Sequence, residues 1–226
     1  MEITSELQRQ RVLVRWKRQA EQEQRKTITN KTQRQIILAR LIAFVQGDGC
    51  IWLHRAFPEI GFYPDHISVA RLFVDTFEQL YGRRIKICPL VNHFRVRVRH
   101  KVASAELVSL AKFRSLDWYL PRSILVNAAT KREWLRAFFD CEAYVGSKVI
   151  VVNSVNEIGL REVKELLREF GIESKWYVYH RKQKNWNTNY ILHIGKIADR
   201  QSFLKHVGFN HPAKQEKLKH SLAAIA

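Results

Sequence analysis

The sequence has no apolar run long enough to cross a bilayer. Its longest runs, such as LIAFV, fall far short of the roughly 18 to 20 residues that a spanning helix needs. The N-terminal stretch ELQRQRVLVRWKRQ lacks an apolar segment followed by a small-residue cleavage site, which a secretory signal requires. We therefore expect an intracellular protein of the cytoplasm, an organelle or the nucleoid, neither secreted nor bound to a membrane.

Cysteine is also scarce. Cys50, Cys88 and Cys141 are widely spaced and form no CxxC pair. This spacing supports neither a disulfide framework nor a zinc knuckle. We expect three reduced thiols that mainly fill space in the core.

Acidic residues are few relative to basic ones. Only 21 Asp and Glu oppose 39 Lys and Arg, which gives a net charge of +18 and a sequence pI near 10.1. From Arg83 to Ala105 there is no acid at all. A charge so far above the needs of solubility predicts a polyanionic partner.

The chain is organised as a short arm followed by two similar halves. Residues 1–31 carry eight Lys or Arg and four Glu with few apolar residues, which favours a basic helical arm. Residues 32–129 and 130–226 each have the pattern helix, two strands, helix, two strands, helix, and the second half ends in a basic tail. We expect an α+β fold of two αββαββα half-domains. Thr32, Asp65 and Ser104 are the predicted starts of the helices of the first half.

An acid ends the first helix of each half. Aligning LIAFVQGDG with LRAFFDCEA places Asp48 on Glu142, 94 positions later. Ala39, Ala43 and Gly47 lie four residues apart, as do Ala137 and Cys141, and small residues at this spacing let two helices pack closely about a pseudo-two-fold axis. The two acids would then meet at the negative helix ends, where a carboxylate costs about 0.3–1 kcal/mol. Only a bound cation makes this arrangement favourable.

Two convergent carboxylates in a basic protein predict a Mg²⁺-dependent phosphodiesterase, with Mn²⁺ as another suitable ion. The glycines around Asp48 leave room for metal and phosphate, and Gly49 is expected to take a left-handed conformation. The alternative is a helix-capping glycine beside an incidental acid. The second copy of the acid argues against that alternative.

The stretches LIAFVQGDGCI and LRAFFDCEAYV resemble the two signature helices of LAGLIDADG homing endonucleases, in the single-chain form that carries both motifs. The resemblance covers residues 32 to about 220. It implies two half-domains joined through the motif helices, each with a curved, four-stranded antiparallel sheet that enters the DNA major groove. It also implies that the chain is a monomer that cleaves a long pseudo-palindromic site. Gln46 replaces an earlier acid of the motif, and Cys141 and Ala143 replace glycines.

The resemblance also implies the roles of individual residues. Asp48 and Glu142, with the preceding Gly47 and Cys141, are the expected metal site. Lys214, just after the last predicted helix, resembles the family's lysine near the scissile phosphate, and Arg122 is its first-half counterpart. His66 and Asn156, at the starts of equivalent helices, are expected to hold metal-bound water.

The predicted DNA-reading surface follows from strand patterns. FRVRVRH alternates arginine with valine, so one face of the strand is apolar and the other cationic. The equivalent strand pair of the second half joins at the polar loop KQKNWNTN, whose amides suit adenine edges. The predicted DNA contacts are Arg83, Arg84, Lys86, Arg95, Arg97, Arg99, Lys175, Arg181, Lys182, Lys184, Asn187 and Asn189.

Two other functions fit the same residues less well. A protein that binds nucleic acid without cutting it, such as an intron RNA maturase or a DNA-binding regulator, could use the same scaffold. A restriction-type nuclease is suggested by Glu173-Ser174-Lys175 and by Pro64-Asp65, but these pieces lie far apart in the sequence.

Overall fold

The computed structural model describes Val14 and residues 30–53, 58–180 and 186–223. The basic arm predicted for residues 1–31 lies almost entirely outside these residues.

The two halves have the same order of elements. The first contains α1 (Lys31–Gln46), β1 (Gly49–Trp52), β2 (Glu59–Phe62), α2 (Ile67–Tyr81), β3 (Ile87–Pro89), β4 (Phe94–Arg99) and α3 (Lys101–Leu110). The second contains α4 (Ala128–Glu142), β5 (Ala143–Val145), β6 (Ile150–Ser154), α5 (Glu157–Arg168), β7 (Lys175–Tyr179), β8 (Asn189–Ile194) and α6 (Ile197–His206). The predicted αββαββα repeat is therefore confirmed. A further helix, α7 (Pro212–Ala223), occupies the region predicted as a basic tail.

Three predicted helix starts are wrong by one to three residues. Helix α1 is capped by Asn30, whose side chain accepts hydrogen bonds from the backbone N–H groups of Thr32 and Gln33. Helix α2 is capped by His66, and α3 by His100 instead of starting near Ser104. In both, the imidazole Nδ1 accepts from a backbone N–H, a task that sequence patterns assign to carboxylates and hydroxyls.

Each half has one four-stranded antiparallel sheet with one buried face. The strand orders are β1-β2-β4-β3 and β5-β6-β8-β7. Alternation along the strands turns Ile60, Phe62, Val96 and Val98 inward in the first sheet, and Ile150, Val152, Leu192 and Ile194 inward in the second. The opposite face of each sheet is left facing outward.

Helices α1 and α4 form the centre of the molecule. Ala39, Ala43 and Ala137 are completely buried between them, and a Cβ added to Gly47 would lie 2.5 Å from the Cβ of Cys141. Such close approach is possible only for small side chains. The two helices therefore pack through the small-residue faces predicted from the sequence.

None of the helices within the described residues combines the length and the apolar character needed to span a bilayer.

Candidate active site and nucleic-acid interface

Asp48 and Glu142 lie at the adjoining C-terminal ends of α1 and α4. Asp48 follows the capping residue Gly47, and Glu142 is the last residue of its helix. Burial raises the pKa of Asp48, and burial together with the nearby charge of Asp48 raises the pKa of Glu142 to about 7. The structure thus brings together two carboxyl groups whose ionised forms destabilise each other.

Lys214 lies beside this pair. Its Nζ donates to the backbone oxygen of Asp140 at 2.5 Å and to that of Cys141 at 3.1 Å. Its charge partly offsets the burial that raises the pKa of Asp48, Asp140 and Glu142. At Asp65, the hydrogen bond with His211 lowers the pKa most, and the charge of Lys214 adds to that effect. Unlike the sequence prediction, which placed it after the last helix, Lys214 lies in the first turn of α7.

The donor groups at this point suit a hard divalent cation. Several carboxylates share the charge of Lys214, and Mg²⁺ prefers one or two carboxylates completed by water and phosphate oxygens. Across residues 30–53, 58–180 and 186–223, no three His, Cys, Asp or Glu side chains are grouped as a ready-made metal cage. A metal held by Asp48 and Glu142 would therefore take its remaining ligands from backbone, solvent or substrate.

Cys141 lies between Lys214 and Asp48. Its backbone oxygen accepts a hydrogen bond from Lys214, and its side chain lies close enough to the Asp48 carboxyl group to oppose the rise in pKa that burial causes there. Burial and the neighbouring acids, Asp48 first among them, raise the pKa of this thiol well above its ordinary value. The group stays protonated, so Cys141 offers no thiolate to a cation, and its place in the metal site stays a prediction.

The glycines beside Asp48 are needed for space. Gly49 does not have the left-handed conformation that we predicted, since the positive φ values in the described residues belong to Gly82, Gly171 and Gly208. A Cβ at Gly49 would instead lie 2.5 Å from the Cα of Val45. The sharp passage from α1 into β1 brings the backbone against itself, and this excludes any side chain.

Gln46 and Asp140 were not predicted as site residues, and they occupy equivalent positions. Gln46 donates from Nε2 to the backbone oxygens of Lys112 and Tyr119 and accepts from Trp134 Nε1. Asp140 accepts from the backbone N–H groups of Asn210 and His211 and from Asn210 Nδ2. The repeat alignment pairs the two residues, but it does not indicate which partners they bind.

His66 faces the other half of the molecule. The rings of His66 and His211 are 4.7 Å apart, and His211 Nε2 lies 3.3 Å from Asp65 Oδ1. Burial, followed by the charge of His211, lowers the pKa of His66. Its role in holding water stays a prediction, but its contacts join α2 to the segment that leads into α7.

Asn156, the equivalent of His66, has a structural task. It is buried, accepts from Gly159 N–H and donates from Nδ2 to the backbone oxygen of Trp118 at 2.5 Å. Both polar atoms of the amide therefore make hydrogen bonds within the protein, and the role of Asn156 in holding metal-bound water stays a prediction.

Arg122 is paired away from the acids. Its NH2 donates to Glu162 on α5 at 2.7 Å, and Glu162 also accepts from Leu120 N–H. Arg122 thus helps to fix the segment between the halves onto α5. Lys214, by contrast, donates to the backbone oxygens of Asp140 and Cys141, next to the acids.

The outer face of the first sheet has the expected alternation. Val96 and Val98 are buried, whereas Arg97 and Arg99 are exposed. An acid nevertheless accompanies these arginines, contrary to the sequence interpretation. Glu59 on the neighbouring strand β2 accepts from Arg97 Nε at 2.5 Å and from Arg99 Nε at 3.2 Å. An acid-free stretch in the sequence is therefore not acid-free in the sheet.

The other predicted contacts of the first half lie at its surface. Arg83 donates to the backbone oxygen of Arg99, and Arg84 pairs with Glu78 and Asp75. Lys86 is exposed just before β3, and Arg95 is partly buried on β4.

The described strands of the second sheet have fewer cations on their outer face than those of the first. Trp176 and Tyr190 pack against the core, whereas Tyr177 and Tyr179 are exposed, which settles a question the strand pattern left open. Register places Tyr179 opposite Asn189. Lys175 is exposed on β7 and Asn187 is exposed before β8, while the predicted contacts Arg181, Lys182 and Lys184 lie outside the described residues.

Comparison with known proteins identifies the second half directly. Residues 129–208 match the family model of the LAGLIDADG-like domain. Two curated relatives are 33% identical: a glutamine-fructose-6-phosphate aminotransferase of Methanocaldococcus jannaschii over 87 residues and a replication factor C small subunit of Thermococcus kodakarensis over 86 residues. Each match covers 38% of this chain and only 8% or 10% of the relative.

Solved structures match the chain over both halves. I-DmoI in complex with DNA and Ca has a TM-score of 0.63 at 16% identity, covering 83% of this chain and 98% of that one. Full-length DUF199/WhiA from Thermatoga maritima has a TM-score of 0.59 at 14% identity, covering 92% of this chain and 66% of that one. I-DmoI is described as a homing endonuclease.

Equivalent acids end two packed helices, each half carries the same sheet, and residues 129–208 match the family model. Residues 129–208 thus form a LAGLIDADG-like domain, and the two halves of the chain together have the fold of I-DmoI.

Proposed function

We propose that the protein is a site-specific endonuclease that hydrolyses both strands of a long, pseudo-palindromic DNA site with a divalent cation, Mg²⁺ first. The observation that carries this proposal is the pairing of Asp48 and Glu142 at the adjoining ends of α1 and α4. Nothing in the packing of the two helices requires an acid at either position, because the small residues before them make the contact.

The residues at the ends of α1 and α4 have different roles in the proposed reaction. Asp48 and Glu142 would hold the cation, which supplies positive charge at the scissile phosphate and lowers the pKa of the attacking water. Cys141 packs beside Asp48, and Lys214 keeps a positive charge where negative charge develops during phosphodiester cleavage. Gly47 and Gly49 keep side chains away from the acids.

Both sheets supply the DNA-binding surface in this proposal. Arg97 and Arg99 of the first sheet suit guanine edges and phosphates, while Tyr177, Tyr179 and Asn189 of the second suit thymine methyl groups and adenine edges. Because both half-sites are read by one chain, the active form is a monomer with internal pseudo-two-fold symmetry.

The curated relatives support a mobile origin, associated with an intron or an intein. An aminotransferase and a replication factor subunit have unrelated names, yet each matches this chain over less than 90 residues in a small part of its length. A segment shared in this way by unrelated proteins is expected of a module that moves between genes, which is the biological setting of homing.

The test is cleavage of a randomised duplex library with and without Mg²⁺, followed by sequencing of the cut ends. Asp48→Asn and Glu142→Gln should abolish double-strand cleavage and retain DNA binding, since the amides keep the shape of the acids but lose their charge. Glu165→Gln, an exposed acid on α5 that pairs with Arg168, is the matched control and should cut normally. Full cleavage by the Asp48 variant would overturn the proposal.

Binding of DNA or intron RNA without cleavage is the second candidate. The observation that favours it is the likeness to DUF199/WhiA, which extends over 92% of this chain and whose name specifies no cleavage. This candidate predicts selective binding by the wild type and no cut ends at any Mg²⁺ or Mn²⁺ concentration.

A further inference from the structure

Glu59 occupies an unexpected place on the outer face of the first sheet. The side chain is 11% exposed although its carboxylate lies on the face that the proposed function turns toward DNA. An acid facing DNA repels phosphates, so its presence among arginines calls for a specific reason.

The carboxylate distributes its two oxygens between two arginines. Oε1 accepts from Arg97 Nε and pairs with the same guanidinium through NH2, while Oε2 accepts from Arg99 Nε. Arg97 remains 47% exposed and Arg99 69% exposed. The contact with Glu59 occupies the Nε and NH2 edge of the Arg97 guanidinium and leaves the N–H groups of NH1 outside that contact, on a side chain that is still 47% exposed.

Trp52 restrains Arg97 from a second side. The Arg97 guanidinium carbon lies 5.3 Å from the centre of a Trp52 ring. The Trp52 ring in turn lies over Gly61, where an added Cβ would be 2.8 Å from the ring. Register pairs Trp52 with Glu59 and Gly61 with Arg97, so the sheet itself sets the arrangement.

An unrestrained arginine has many rotamers, so it can contact phosphates and different bases with little selectivity. An arginine fixed at one edge by a carboxylate and on one face by an aromatic ring presents its remaining fork in a single direction. A fork presented in this way is suited to the O6 and N7 acceptors of one guanine. Loss of the restraint would remove the direction of the fork but keep its charge.

We propose that Glu59 is a specificity-determining positioning residue, which with Trp52 holds Arg97 as the reader of a guanine in one half-site. This inference rests on the proposed function, because it requires that the first sheet faces DNA. The contrasting explanation is that Glu59 merely neutralises Arg97 and Arg99.

The experiment measures binding without divalent metal, in EDTA, so that cleavage plays no part. A randomised duplex library is selected with the wild-type protein, and the preferred base at each position is obtained from the bound fraction. Glu59→Gln is expected to lose discrimination at one guanine by roughly fivefold or more. Its affinity for random duplex is expected to stay equal or to rise, because a negative charge facing phosphate has been removed.

Three further variants keep the test decisive. Arg97→Lys keeps the charge without the fork and should lose the same guanine, and Trp52→Ala should weaken the same position without changing the net charge. Glu165→Gln is the control for an acid-to-amide change and should leave every position unchanged. If Glu59→Gln fails to fold, as judged by its thermal transition, Arg97→Lys and Trp52→Ala carry the test.

A uniform change in affinity for all sequences, with the guanine preference intact, would overturn the inference. If the wild type selects no sequence at all, both this inference and the proposed reading of DNA are wrong. If it selects a site but never cuts it, only the nuclease function is wrong.

Discussion

Gln46 and Asp140 stand 94 positions apart at the same place in α1 and α4, and each fastens the loop that closes its own half. Gln46 does so mainly as a donor to two carbonyl oxygens, Asp140 as an acceptor of three N–H groups. One structural role is thus filled by opposite hydrogen-bonding chemistry.

Exchanging the amide and the carboxylate between these two positions should destabilise the protein. Gln46→Glu would place an acceptor against two carbonyl oxygens. Asp140→Asn would keep one oxygen for the two backbone N–H groups but place an amide donor against the side-chain Nδ2 of Asn210. Each should lower the free energy of unfolding by about 1–3 kcal/mol, because buried groups lose their partners. Urea denaturation checks this, with Glu165→Gln as the surface control. A change within error of that control for both variants would show that the loops are held elsewhere.

The contact between Gly47 and Cys141 should be a steric one. Gly47→Ala places a methyl group 2.5 Å from the Cβ of Cys141 and should destabilise the protein by about 1–3 kcal/mol. Cys141→Gly removes that Cβ and should rescue Gly47→Ala, whereas Cys141→Ala keeps the Cβ and should not. Thermal denaturation of the single and double variants measures the coupling, and equal behaviour of the two double variants would contradict it.

The stability of the metal-free protein should depend on pH. Burial and Asp48 raise the pKa of Glu142 from 4.5 to about 7. A carboxyl with a raised pKa in the folded state contributes its full stability below its unfolded pKa and loses it as pH rises through the folded pKa. We therefore expect Tm in EDTA to fall between about pH 5 and about pH 8.

Two comparisons isolate the Glu142 contribution to that fall. Glu142→Gln should flatten the upper part of the curve, while Asp140, whose pKa burial raises to about 6, continues to contribute to the lower part. Added Mg²⁺ should oppose the fall in the wild type only, because it neutralises the ionised pair. A Glu142→Gln protein with the slope of the wild type would show that another group titrates.

Lys214 and Arg122 were predicted to act alike, and their contacts predict that they act differently. Lys214→Met should reduce cleavage about 100-fold, because a cation beside the reacting phosphate is lost. It should bind divalent metal at least as tightly as the wild type, since Lys214 competes with the metal for the same carboxylates. Cleavage rates as a function of Mg²⁺ concentration measure both effects.

Arg122→Met is the matched cation deletion. It breaks the pair with Glu162 and should leave cleavage within a few-fold of the wild type, because an exposed ion pair contributes at most about 1 kcal/mol. Equal losses in the two variants would restore the symmetrical roles that the sequence suggested.

The difference between the two sheet faces should appear in the DNA target. Arginines dominate the outer face of the first sheet, whereas Tyr177, Tyr179 and Asn189 lie on the second. Sequences selected by the metal-free protein should be rich in G·C pairs in one half and in A·T pairs in the other. The control is selection with Asn189→Ala, which should alter the second half only. A target with the same composition in both halves would contradict this assignment.

The repeat and the acids could be predicted because they depend on local spacing. The alternation of FRVRVR and the alignment of Asp48 with Glu142 are visible along the chain. The pairing of Glu59 with Arg97 and Arg99 is not, because β2 and β4 are neighbours in space while a helix and a strand separate them in sequence. Pattern alone could not separate Trp176 from Tyr177, since both faces of β7 carry aromatic residues.

The contact between the rings of His211 and His66 and the pairing of His211 with Asp65 could not be predicted either. They join opposite ends of the chain through a segment whose direction depends on Asp140. The same holds for Asn156, whose buried bond to Trp118 crosses between halves. Contacts of this kind follow from how the two halves dock, which no repeat pattern specifies.

Under the proposed function, the unequal sheets would give a complex with DNA a polarity. A protein with arginines on the first sheet and tyrosines on the second would bind its site in one orientation. Lys214 would then face the same DNA strand in every complex. One strand of each target would then be defined chemically as the strand beside Lys214. The ends released from different copies of the site would carry the same strand asymmetry. A repair process that distinguishes the first nick from the second would always begin on the same strand.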